Sequence, residues 1–293
     1  MEDILRFDSI WIAESLGQGD LKTGKRLYED CLLPAAATND KLHVFYDFIT
    51  SADGLQEWLE KVAQEVSVRG RGPILHIEAH GDSYGLQLQD GSTIEWRALK
   101  KHLQVINRLM RFNLLVVMAA CSGAHLARIV LPTEPSPVWG LVGPVTKVNA
   151  VEIEGGFTAF YQALLTESDG RMAVQALYDA SPKAKGKFSF VNAEFLFRYA
   201  FFKYVELACD QLGVKHRSAV ILSKLLSTHP ELIRHKDQLL NDIKASLLDH
   251  SSYIESYRRH FFMVADVPEN DMRYAVDLAS CMVLREIEAT IIS

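Results

Sequence analysis

The four cysteines, Cys31, Cys121, Cys209 and Cys281, stand far apart and form no CxxC pair. This spacing supplies neither a zinc ligand set nor a disulfide framework, and it reads as reduced thiols of a cytosolic protein. Long runs of like charge are also missing, and Lys plus Arg number 31 against 37 Asp plus Glu. A general nucleic-acid binder needs clustered cations to neutralise phosphates, so that class is excluded. The N-terminus, MEDILRFDSI, lacks the apolar centre of a secretory signal. The strongest apolar run, Leu114 to Ala120, is far too short to span a bilayer, so no membrane partner is expected. No fixed-period repeat and no low-complexity segment is found. What is present is an ordinary globular composition, 48% hydrophobic and 23% charged over 293 residues. That is enough for one large domain or two modest ones.

In the first half, strand and helix signals alternate. Ser9 to Ser15 reads as a first strand, followed by a helix, LKTGKRLYEDCLL, that Asp20 can cap and Pro34 closes. His43 to Thr50 is a second strand, and a helix beginning at Ser51 or Asp53 runs to Val66. Ile74 to Ala79 is a third strand. It leads into a hairpin, GLQLQ and STIEW, around Asp90-Gly91. A helix over Arg97 to Phe112 precedes the strand Leu114 to Ala120, whose lack of polar residues suits a parallel sheet covered on both faces. Ala124 to Val130 reads as a short helix, Val138 to Val142 as a buried strand, and Phe188 to Val191 as a last edge strand. The implied class is α/β, with a mostly parallel sheet between helical layers. From Ala193 onward only helices are expected, near 193–212, 215–227, 231–246, 250–264 and 268–290. The chain therefore divides into a sheet domain, 1–192, and an all-helical region, 193–293.

Two apolar strands in this plan end in small-residue turns that carry reactive side chains. Ile74 to Ala79 ends at His80-Gly81, and Leu114 to Ala120 ends at Cys121-Ser122-Gly123. Sites in open α/β sheets form at the carboxyl ends of strands. The 41 residues from His80 to Cys121 allow one hairpin and one helical crossover, so the two strands can be neighbours. Cys121 as a thiolate would attack a carbonyl carbon, and His80 would move the proton. The N–H of Gly81 and of Cys121, the latter near a helix start, are candidate oxyanion donors. The plain alternative is that Cys121 is a small core residue. His76 precedes His80 by an even number, so both face one side of the strand, where His76 is expected to pack. His125 is the rival base. Asp82 and Ser83 either orient His80 or make the turn.

IEAHGDSYGLQLQDGSTIEW, then a helix, then VVMAACSG, resembles the catalytic core of caspase-like (clan CD) cysteine peptidases. Phe160-Tyr161 with Leu164, Gly170, and Ala176-Leu177 resemble the closing segment of CHAT domains, a branch of that clan. The resemblance covers about residues 8 to 182. It implies a caspase-like α/β/α sandwich, a Cys121–His80 dyad, Gly81 as an oxyanion contributor, and no cofactor or metal. It also places Ala119 in the S1 pocket, where an acidic residue would favour basic P1 side chains; with Ala119, small or apolar P1 residues are expected instead. Glu14, ending the first strand, is either a pocket wall by the same analogy or an ordinary solvated carboxylate. Val145 to Val148 is expected to form another wall. The implied activity is a cytoplasmic endopeptidase acting on a dedicated protein substrate, in bacterial defence or programmed cell death. A catalytically inactive binding scaffold is the alternative, and a small-molecule hydrolase with the same dyad a third reading. The aromatic-rich stretch Phe195 to Tyr204 either packs on the sheet domain or offers a face to a regulatory protein partner. The basic loop Ser181 to Lys187 is a solvated link or a site of self-cleavage.

Overall fold

A strand whose every residue is buried needs protein on both faces, and three strands of this chain meet that condition: β1 (Ser9–Ser15), β6 (Leu115–Ala119) and β7 (Gly140–Pro144). In the computed structural model, which describes residues 5–167, 169–180, 186–208 and 210–282, they lie in the middle of one mixed sheet. Its strand order is β2-β1-β3-β6-β7-β8, with β2 at His43–Phe48, β3 at Pro73–Gly81 and β8 at Phe188–Asn192. All neighbours are parallel except β8, which runs antiparallel to β7 at one edge. A short hairpin, β4 (Gly85–Gln87) and β5 (Thr93–Glu95), folds back onto the end of β3.

The faces of the sheet receive different helices. Trp11 stacks on Phe45 at 4.1 Å and meets Trp58 of α3 (Ala52–Arg69) edge-on at 6.5 Å. The opposite face carries His76, which lies 5.4 Å from the ring of Phe157 and 5.8 Å from that of Tyr161, both on α6 (Ala150–Glu167). Ser51 caps α3 by accepting the Gly54 N–H, and Gly70 ends it at φ 64°, a conformation suited to glycine. Asn149 and Glu152 exchange hydrogen bonds at 3.0 Å in a capping box that starts α6. The crossover before β6 is α4 (Trp96–Leu109).

Pro34 does not close the first helix. The chain runs through α1 (Thr23–Arg26), a π-helical segment (Leu27–Leu32) and α2 (Leu33–Thr38), with Pro34 in the first turn of α2. The π-helical turn before it, in which Leu33 N–H donates to Tyr28 O five residues back, widens the helix at the point where proline has no N–H to give. The helix expected over Ala124 to Val130 shrinks to α5 (His125–Arg128), four residues. Beyond α6 comes α7 (Gly170–Asp179).

The chain separates into two compact units, residues 1–130 with 136–193, and 131–135 with 194–293. The second is helical among the described residues: α8 (Ala193–Ala208, of which Ala193 falls in the first unit), α9 (Gln211–Thr228), a 3-10 segment (Pro230–His235), α10 (Lys236–Leu248), α11 (His250–Phe261), α12 (Asn270–Arg273) and α13 (Leu278–Met282). Its aromatic residues form a core of their own. Phe197 packs on Phe261 and Phe262 at 5.2 and 5.3 Å, and Phe201 lies 6.2 Å from Tyr253. Neither expectation for that stretch anticipated this packing within the unit. The supposed self-cleavage loop lies mostly outside the described residues, as do Cys209 and the end of the last expected helix.

Candidate active site

Register decides whether His80 and Cys121 meet. β3 and β6 are adjacent and parallel, and their last paired residues are Glu78 and Ala119. His80 and Cys121 each stand two residues beyond that pair, His80 still within β3 and Cys121 in the turn that follows β6. A β-carbon at position 81 would lie 2.6 Å from the Cys121 carbonyl oxygen and 3.1 Å from Ala120 Cβ. Only glycine permits the two strand ends to approach so closely.

Cys121 sits in a tight turn closed by Gly123 N–H donating to Ala120 O at 2.9 Å. Ser122 in that turn has φ 58°, an uncommon conformation for a residue with a side chain. Gly123 is obligatory, because a β-carbon would meet Met118 Cγ at 2.6 Å and Met118 O at 2.8 Å. The half-buried Cys121 thiol donates to Val148 O at 3.6 Å, which places Val148 beside the sulfur. Val145 itself is half-buried, its N–H donating to Lys187 O at 2.8 Å. Ala119 is fully buried in β6 beside Glu78.

His80 is 58% exposed, and its Nε2 lies 2.9 Å from Asp20 Oδ2. Asp20 caps no helix. Its Oδ2 also accepts the Gly17 N–H at 2.8 Å. The His80 hydrogen bond holds the Asp20 carboxyl below the ordinary carboxylate range, with help from the Gly17 N–H and the charges of His80 and Lys22. The loop carrying Asp20 is pinned by Lys22, whose Nζ donates to Leu16 O and, at 2.7 Å, to Gly17 O. No sequence pattern marks Asp20 as a partner of His80, since 60 residues separate them.

The other histidines are otherwise engaged. His125 Nε2 lies 3.1 Å from Arg128 Nη1, and its Nδ1 lies 3.2 Å from Ser122 O. An arginine can only donate and a carbonyl only accept, so His125 has no lone pair left for a base. Burial and Arg128 push its pKa down. His76 is buried, with Tyr161 Oη 3.3 Å from its Nδ1. Asp82 makes the turn after Gly81, its Oδ1 accepting the N–H groups of Tyr84 and Gly85 at 2.7 and 3.1 Å. A cleft of about 240 Å³ opens beside His80, lined among others by Asp82, Tyr84, Gln87 and Glu95.

Two expectations need correction. Glu14 is neither solvated nor open to a pocket: it is 0% exposed. Its Oε1 accepts the Gly24 N–H at 3.0 Å and the Lys25 N–H at 3.4 Å, and its Oε2 accepts the Tyr46 hydroxyl at 2.6 Å. It therefore supports the start of α1 from the sheet, next to the equally buried Glu78, which accepts from the Thr23 hydroxyl. Burial, and then the Glu78 charge, raise the Glu14 pKa against these hydrogen bonds. The second correction concerns the Cys121 N–H. A helix of four residues brings little dipole, so any oxyanion role for that N–H rests on the turn itself.

Among the described residues no group of three or more His, Cys, Asp or Glu is placed to hold a metal ion, and no helix is long and apolar enough to cross a membrane. Compared with known proteins, the chain matches no family model and no curated sequence.

Proposed function

We propose that this chain is a cysteine endopeptidase of the caspase-like clan, CHAT type, cutting a dedicated protein substrate through Cys121 and His80. The observation that carries the reading is the placement of these residues just beyond the last paired residues of two adjacent parallel strands, with the Gly81 backbone against the Cys121 carbonyl. The central sheet with helices on both faces is the arrangement such a sandwich requires.

In the proposed reaction His80 takes the thiol proton and the Cys121 sulfur attacks the scissile carbonyl carbon. The negative charge moves to the carbonyl oxygen, facing the N–H groups of Gly81 and Cys121. Collapse breaks the C–N bond, and the leaving amine takes the proton from His80. Water, deprotonated by His80, then hydrolyses the thioester and frees the thiol. Ala119, the position tied to P1 preference in the clan, is not acidic, but its side chain is buried in β6 and offers no pocket surface, so no P1 preference follows from it. The helical unit recruits the target or regulates the peptidase, in a cytoplasmic defence or cell-death setting.

The test is co-expression of wild type, Cys121→Ala and His80→Ala with candidate partner proteins, with fragments identified by mass spectrometry. Fragments present only with the wild type are expected. Identical fragment patterns from all three would leave a binding scaffold as the better reading.

A further inference from the structure

We propose that Asp20 is a positioning residue that fixes the tautomer of His80, making the site a Cys121–His80–Asp20 array in place of a bare dyad. This inference rests on the reading of Cys121 and His80 as the reacting pair. Its ground is the 2.9 Å contact between Asp20 Oδ2 and His80 Nε2.

An ionised carboxylate accepts hydrogen bonds and cannot donate them. Asp20 is held in that form, so the proton of a neutral His80 must sit on Nε2. The lone pair then lies on Nδ1, the only nitrogen left to take a proton from the Cys121 thiol. When Nδ1 accepts that proton the ring becomes a cation, and Asp20 stabilises it without receiving a proton itself.

The surroundings of Asp20 suit this role. The Gly17 N–H holds the same carboxylate oxygen from the loop side, and a β-carbon at Gly17 would lie 3.0 Å from it. Lys22 ties the loop to itself through Leu16 O and Gly17 O and lies 5.0 Å from the centre of the Phe48 ring. The carboxylate is thus set by a braced loop. The pair itself is too exposed to matter for folding, with side-chain exposures of 58% and 38%. Exposed ion pairs contribute little to stability, which leaves orientation as the consequence of the contact.

Asp20→Asn separates charge from loop structure. Gly17 N–H and His80 Nε2 meet the same oxygen of Asp20, so the amide oxygen of the variant can still accept from both while the negative charge is lost. Asp20→Glu keeps a carboxylate and serves as the rescue. The readout is the ¹⁵N spectrum of the full chain labelled at histidine, with His80 assigned by its loss in His80→Gln. It is paired with the rate at which iodoacetamide alkylates Cys121, followed on the Cys121 peptide by mass spectrometry. Expected are an Nε2–H signature in the wild type and in Asp20→Glu, and alkylation about 10-fold slower or more in Asp20→Asn, restored in Asp20→Glu, as when a positioned proton acceptor loses its support. An Nδ1–H wild type, or alkylation in Asp20→Asn as fast as in the wild type, overturns the proposal. Neither measurement uses a peptide substrate. Absence of proteolysis in the wild type with the expected tautomers therefore removes the peptidase reading and leaves the Asp20 assignment standing.

Discussion

Among single residues, Glu14 shows how far a side chain's setting can depart from its position in sequence. An acidic residue near the end of an apolar strand invites a solvent role, yet this one is enclosed beneath α1 beside a second carboxylate. Its pKa is raised above the ordinary 4.5, chiefly by burial. The linkage sign follows. At low pH both folded and unfolded states hold the proton. As pH rises past 4.5 the unfolded state releases it first, so stability falls until the raised folded pKa is passed. Urea unfolding of wild type and Glu14→Gln between pH 4 and 7 should show the wild type losing stability relative to the variant as pH increases. A constant difference across that range would show that Glu14 titrates alike in both states. Cys121 and His80 were legible because each follows a strand run that is wholly or largely apolar and precedes a small residue. Asp20 was not, because its partner is reached only once the loop after β1 folds over the end of β3.

Strand pairing is what makes a site of these residues. Periodicity located the strands to within a few residues, and the last edge strand lies where its apolar residues suggested, Phe188–Asn192. Periodicity says nothing of register, and a slip of one residue between β3 and β6 would reverse the face that β6 presents beside β3. The approach of the strand ends depends on Gly81. In Gly81→Ala the new β-carbon, 2.6 Å from backbone oxygen, must push the ends apart. We expect a loss of about 1–3 kcal/mol, as for other overpacked sites, read by thermal or urea unfolding. Any proteolytic activity should fall at least 10-fold, as expected when reacting groups separate. A variant with full activity and unchanged stability would mean that the turn at Cys121 yields without effect.

For the whole molecule, two units with separate cores share one chain. The helical unit is held by a buried arginine as well as by aromatic packing. Arg258, 5% exposed, donates to Glu255 at 2.7 and 2.8 Å, to the carbonyl oxygens of Asp271 and Tyr274 at 3.1 and 2.8 Å, and to the Asp271 carboxylate. These partners raise the Arg258 pKa, the Glu255 hydrogen bond most, and hold both carboxyls low. Arg258→Ala leaves buried carbonyl groups without donors, which costs more than the net worth of each bond. Calorimetry should show unfolding of the helical unit lowered by several degrees, with alkylation of Cys121 in the folded protein unchanged. A shift in the alkylation rate would show that the helical unit controls the thiol.

The sequence by itself determined the kinds of element, the alternation that builds a parallel sheet, and the two strand ends that carry a thiol and an imidazole. These follow from local periodicity and turn chemistry, which depend on neighbours a few residues away. Tertiary structure alone decided that those ends belong to adjacent strands, that Asp20 holds His80, that His125 is occupied, and that Glu14 is sealed under a helix. Each of these depends on register and packing between segments remote in the chain, where a displacement of one residue or one helical turn changes the partner.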